Sequence, residues 1–209
     1  MKELLSLSRS KASVNVVVVG CNKGDDFVAQ LGSWSGNASY DVIEYTNLNY
    51  HNPIFPCGSA KPMKAASALV NGVRPVRGYC LEPMGANYRL LRNLTTTMRF
   101  DETAVHVIHA AADMYPGTAD FPDSATPGIE DFRLGLVRND LPSMTINVTN
   151  LDTFFAAERL DVIDFLSIDT EGEECPALPV PLLSMYHSWV STRRVRSALP
   201  CPATSPVPH

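Results

Sequence analysis

Residues 14 to 20 run VNVVVVG, almost all apolar and branched, with no polar alternation. That pattern predicts a strand buried on both faces, as in a parallel sheet covered by helices. Four consecutive valines favour strand over helix because their branched side chains are stiff about χ1. The run stops at the turn GCNKG, and DDFVAQLGSW follows, placing Phe27, Val28 and Leu31 on one helical face. Asp25 and Asp26 then stand at the positive end of that helix's dipole. The reading is strand, turn, helix.

From about residue 33 to 75 the pattern weakens into a stretch rich in Asn, Ser, Pro and Gly. It offers one short strand at DVIEY and one helix at KPMKAASALV, and reads as a long insertion after the first helix. A second strand is predicted at VRGYCLEP, followed by a helix in GANYRLLRNLT with Tyr88, Leu90, Leu91 and Leu94 on one face. AVHVIHAAA, residues 104 to 112, is a third strand. SMTINVTNLDTFFAAERL reads as a short strand and then a helix starting near Asp152, and VIDFLSIDTEG as a fourth buried strand ending in acids.

Strands alternating with helices at this spacing predict an α/β fold with a mostly parallel sheet of which the first four core strands are present. The domain spans 14–174, with the insertion at 33–75 and an amino-terminal extension at 1–13. Residues 175–209 hold seven of the sixteen prolines, so a tail with little regular structure is expected there.

Composition narrows the function classes. At 209 residues, 45% hydrophobic and 19% charged, the chain has the make-up of one globular domain. A net charge of -5 with no Lys or Arg run gives no footprint for nucleic acid or acidic membranes, leaving small-molecule or protein partners. No apolar window reaches the length of a signal peptide core or a spanning helix, so a soluble, cytoplasmic chain is expected. The sequons at Asn37, Asn93 and Asn147 read as chance matches. Five scattered cysteines, Cys21, Cys57, Cys80, Cys175 and Cys201, show no metal spacing, so no metal and no disulfide framework is expected. Reduced thiols would suit an intracellular compartment.

In an open parallel sheet, ligands bind where the carboxyl ends of the strands meet helix amino termini. Those ends carry Gly20, Cys21, Asn22, Lys23 and Gly24, then Glu82 and Pro83, then Ala110 and Ala111, and finally Asp169, Thr170, Glu171 and Gly172. Glycines at 20 and 24 let backbone approach a ligand, and Asn22 tolerates a left-handed conformation. An acid ending the second strand suits the two ribose hydroxyls of a nucleoside. The turn is neither G-x-G-x-x-G nor a P-loop, since Asn22 replaces the glycine that admits a pyrophosphate and no G-K-[ST] follows. A nucleoside without phosphates fits better, which points to S-adenosyl-L-methionine. Glu82 lies about three times the roughly 20 residues expected between a glycine turn and its ribose acid. Glu44, in DVIEYT, stands at the expected distance and is the rival. Glu82 is preferred because a strand precedes it and an amphipathic helix follows it.

The segments VVVVGCNKGDDF, VRGYCLEPMGANYRLLRNL, VHVIHAAA and VTNLDTFFAAERLDVIDFLSIDTEGEE together resemble, in order and spacing, the FkbM family of S-adenosylmethionine-dependent methyltransferases. The resemblance covers roughly residues 14 to 174. It implies a Rossmann-like class I methyltransferase sheet and methyl transfer to a hydroxyl of a sugar, lipid or secondary metabolite. By the same resemblance Gly20, Cys21, Asn22 and Gly24 would cradle the methionine part of the cofactor. Glu82 would hold the ribose, Pro83 and Met84 would border the adenine, and Ala110 would lie beside the base. Asp169 and Glu171 match the late D-x-E-G motif, with Asp169 a candidate base for the acceptor hydroxyl.

The family usually carries an acid two residues before the first glycine, where this chain has Val18. A related domain without catalysis is therefore the alternative, and an NAD-dependent oxidoreductase is disfavoured by the missing G-x-G-x-x-G. The remaining polar residues have plainer readings. His106 and His109 are expected as core or edge histidines, Asn87, Arg89 and Arg92 as a solvated helix face, and Trp34, Tyr50, His51 and Phe55 as packing of a long loop.

Overall fold

A computed structural model describes residues 13–50, 72–125, 127, 134 and 139–170, together with the strand at 190–191. Its centre is a five-stranded parallel sheet in the order β3-β2-β1-β7-β8. Here β1 is Val14–Val19, β2 Val76–Leu81, β3 Val105–Ile108, β7 Phe165–Ile168 and β8 Val190–Ser191. The α/β, mostly parallel architecture expected from the hydrophobic pattern is the one observed.

The valine run divides between the two faces because side chains alternate along a strand. Val14, Val16 and Val18 pack on Phe27, Val28 and Leu31 of α1 (Asp25–Ser35), Tyr45 of α2 (Val42–Tyr50), and Leu91 and Leu94 of α3 (Gly85–Thr97). On the opposite face, Val17 and Val19 meet Leu151, Phe154 and Phe155 of α4 (Leu151–Ala157), with Tyr79, Leu81, Leu166 and Ile168. Asn150 caps α4, its Oδ1 accepting from Asp152 N at 2.9 Å and Thr153 N at 3.3 Å.

Two local expectations give way. DVIEY is not a strand but the start of α2, because Asp41 caps it: Asp41 Oδ1 accepts from Ile43 N at 2.8 Å and Glu44 N at 3.2 Å. Residues 104 to 112 do not form one strand either. After Ile108 the chain leaves the main sheet at His109, whose Nε2 lies 3.0 Å from the Pro83 carbonyl and whose ring stacks on Tyr88. Ala110–Ala112 then forms β4, pairing parallel with β6 (Ser143–Thr149), which pairs antiparallel with β5 (Gly117–Pro122). This second sheet packs on the start of α3 through Met84, Ala86, Ala111, Phe121, Ile146 and Val148. Within 175–209 the described residues are β8, two residues that extend the main sheet beside β7. The helix expected at KPMKAASALV lies outside the described residues.

Candidate functional site

The register places the strand ends side by side. Val19 pairs with Leu81 on one flank and Ile168 on the other, so Gly20 emerges between Glu82 and Asp169. Gly20 N donates to the Leu81 carbonyl at 2.9 Å, and Asp169 N donates to the Val19 carbonyl at 2.9 Å. A Cβ on Gly20 would overlap the Asp169 carbonyl oxygen, and its φ of 77° is left-handed, so only glycine brings the two strand ends this close. Asn22 and Gly24 also have positive φ, 50° and 89°. Three left-handed residues in five reverse the chain within the turn and leave Gly24 as the amino-terminal cap of α1.

Glu82 closes the turn from the neighbouring strand. Its Oε2 accepts from Asn22 N at 2.7 Å, and its Oε1 accepts from Met84 N at 2.9 Å and Asn87 Nδ2 at 3.3 Å. The same Asn87 amide donates to Asn22 Oδ1 at 3.2 Å. Glu82 is only 3% exposed, and burial pushes its carboxyl up to about 7 although the donors at Met84, Asn22 and Asn87 pull the other way. A carboxylate oxygen has two acceptor sites, so one N–H at Oε2 leaves that oxygen able to accept further.

Of the residues expected at the site, Gly20, Cys21, Asn22, Gly24, Glu82 and Asp169 meet at the joined ends of β1, β2 and β7. Met84 stands differently. It is buried under the second sheet, and its backbone, rather than its side chain, touches the site through Glu82. Ala110 is 5% exposed at the start of β4, one residue past the His109 contact with Pro83. Glu171 lies outside the described residues. Glu44, the rival acid, is exposed on α2.

Three residues stand otherwise than expected. Asn87 is not on a solvated face; it is 2% exposed and bridges Glu82 to the turn. Its signal was the spacing from Glu82, five residues on, which sets it on the first turn of α3 facing back to the strand end. Cys21 and Cys80 are not separate thiols: they form a disulfide, Cα atoms 6.0 Å apart, tying the turn to β2. A separation of 59 residues hid that pairing, and only the β1–β2 register, which sets Cys80 beside Val18, brings the sulfurs together. Cys21 and Cys80 are therefore not reduced thiols that would suit a reducing compartment.

Val18, where the resemblance led to an acid being expected, is 3% exposed and packed in the helix-covered core with Cys80 and Leu91. Among the described residues no group of three or more His, Cys, Asp or Glu is placed to hold a metal, and no helix is long and apolar enough to cross a membrane.

The methyltransferase FkbM domain matches residues 19–185, most of the chain. The chain belongs to the FkbM methyltransferase family. No curated protein and no solved structure matches it. In FkbM terms the matched span takes in the turn from Gly20 to Gly24, Glu82 and Asp169, so the residues that meet at the strand ends all lie inside the family domain.

Proposed function

We propose that this FkbM domain binds S-adenosyl-L-methionine at the joined ends of β1, β2 and β7, and transfers a methyl group to a hydroxyl oxygen of a sugar, lipid or secondary metabolite. The observation that carries the reading is the pairing of a left-handed glycine turn with a buried strand-end acid, Glu82 Oε2 accepting from Asn22 N at 2.7 Å. The residues fit the cofactor's chemistry. Gly20 lets the turn close on the Asp169 carbonyl, which any Cβ would strike, and Glu82 Oε2, with a single N–H on it, keeps an acceptor site for a ribose hydroxyl.

When bound, the cofactor supplies a methyl group activated by its sulfonium. The chain's part is to fix, orient and shield. The turn backbone and Glu82 hold one partner in place, and such positioning does most of the work in an in-line displacement. Asp169, on the far flank of the turn from Glu82, accepts the proton released by the acceptor hydroxyl. A second reading, an FkbM domain without catalysis that binds the cofactor poorly or not at all, rests on the apolar Val18 in place of the acid the resemblance led one to expect.

Calorimetric titration with S-adenosylmethionine, with NADH in parallel, tests the proposal. Binding of the former and not the latter is expected; no binding at millimolar concentration sinks it. Glu82→Ala should lose affinity and Glu44→Ala should keep it, and the reverse result would move the ribose site to α2. Transfer of labelled methyl to a panel of hydroxyl acceptors separates the active from the silent reading.

A further inference from the structure

The Gly20–Gly24 turn is gripped on one side by Glu82 and Asn87, and on the other by α2, from the segment that reads as an insertion. Tyr45 of α2 is fully buried, and its hydroxyl donates to the Lys23 carbonyl at 2.8 Å. We infer that Tyr45 is a positioning residue of the cofactor turn, acting through the Lys23–Gly24 peptide. The inference rests on the cofactor reading proposed above.

The peptide unit is planar, so its carbonyl and N–H cannot turn independently. The Lys23 oxygen is held by Tyr45, and the Gly24 N–H of the same unit donates to the Cys21 carbonyl at 2.9 Å. Fixing both ends sets the rotation of this unit, and with it the left-handed φ of 89° at Gly24. The fit is also steric. A Cβ on Gly24 would lie 2.6 Å from the Tyr45 hydroxyl oxygen and would overlap Leu91 Cδ2, so α2 and α3 close on the turn as far as a glycine allows.

The adjacent residue adds a second latch, Thr46 Oγ1 donating to Asp25 Oδ1 at 3.1 Å on the first residue of α1. Burial, and after it the Asp25 charge, push the Tyr45 phenol well above its ordinary value. The hydroxyl thus keeps its proton and stays a donor through the neutral range.

Tyr45→Phe keeps the ring and removes only the donor. The control is Tyr79→Phe: Tyr79 is equally buried, but its hydroxyl accepts from Arg77 at 2.6 Å in the α4-facing core. S-adenosylmethionine affinity is measured by calorimetry and melting temperature by circular dichroism. Tyr45→Phe should raise Kd about tenfold, the size of one lost hydrogen bond to a buried carbonyl, while Tyr79→Phe lowers the melting temperature and leaves Kd unchanged. Wild-type Kd in Tyr45→Phe, or an equal loss of affinity in both variants, overturns the inference. If the unmutated chain does not bind the cofactor, the cofactor reading itself fails. The amide resonance of Gly24, recorded without cofactor, then decides the remaining point: it should move in Tyr45→Phe and stay in Tyr79→Phe, and an unmoved resonance removes Tyr45 from the turn.

Discussion

The two ends of β1 use the same device to different effect. At the amino end, Asp164 Oδ2 accepts from Asn15 N at 3.0 Å; at the carboxyl end, Glu82 Oε2 accepts from Asn22 N at 2.7 Å. Both carboxylates are nearly buried, 8% and 3% exposed, and each ties β1 to a neighbouring strand. At the amino end the ladder continues around the acid, with Val14 N donating to the Pro75 carbonyl and Asp164 N to the Asn15 carbonyl. At the carboxyl end the chain leaves the ladder through left-handed Gly20, Asn22 and Gly24. A buried acid that stitches strands is thus a structural device at either end. It becomes a candidate ligand site only where glycines strip the neighbouring backbone of side chains.

The strongest way to break this contrast is to put a side chain on the carboxyl end. In Gly20→Ala the new methyl overlaps the Asp169 carbonyl and the residue must keep a φ of 77°, so a loss above about 4 kcal/mol, with loss of cofactor binding, is expected. Gly72 is the comparison: its φ is 84°, but nothing lies within 4 Å of the added Cβ, so Gly72→Ala should cost only the backbone strain, about 1 kcal/mol. Urea unfolding of both variants measures the difference. Similar costs would mean that conformation, not the close approach of β7, demands the glycine.

The carboxyl end also has a covalent tie, Cys21 to Cys80, closing a span of 59 residues. Loop-closure entropy for a span of that length gives about 4 kcal/mol. Reduction should lower the unfolding free energy toward that amount, read as a fall in the urea midpoint. An unmoved midpoint would leave the hydrogen bonds of Glu82 and Asn87 as the main hold on the turn.

The contrast also explains what was legible beforehand. Four strands of the main sheet could be read because they are short, mostly apolar runs between turn signals, and a largely buried position leaves such runs few alternatives. Glu82 and Asp169 could be read because each ends such a run. Most of what failed depends on a partner distant in the chain, and DVIEY is the local exception. DVIEY looks like a strand by its branched residues, yet Asp41 and Glu44 stand at the spacing of a capping box, a local signal that was present and outweighed. The break at His109 depends on the Pro83 carbonyl, 26 residues earlier, and the Cys21–Cys80 pair on strand register. Tyr45 carries no motif; its role exists only because α2 folds back on the turn.

A smaller effect separates the two functions of Glu82, stitching and ligand binding, by pH. Burial raises its carboxyl from 4.5 to about 7, so the fold favours the neutral form. Its contribution to stability is then full below the unfolded value of 4.5 and is lost as pH rises through 7, by about 3 kcal/mol. Cofactor binding runs the opposite way, because ribose hydroxyls donate best to the charged form. Affinity should rise about tenfold between pH 6 and 8 as the carboxyl ionises. Glu82→Gln should flatten both profiles, and an affinity profile that survives the substitution would assign the pH dependence to another group.

The smallest expected change is the most exacting test. Asp164→Ala leaves the Asn15 N–H without its side-chain acceptor at a position that water can partly reach, a loss of about 1 kcal/mol. Since Asn15 and Asp164 stand at the opposite end of β1 from the turn, cofactor affinity should be unchanged within error, while Glu82→Ala, which removes the same kind of bond, abolishes it. Equal effects on affinity would mean that both acids act only by setting the position of β1. The carboxyl end would then owe its place as the site to the glycines alone, and Glu82 would be a strand stitch rather than a ligand-holding group.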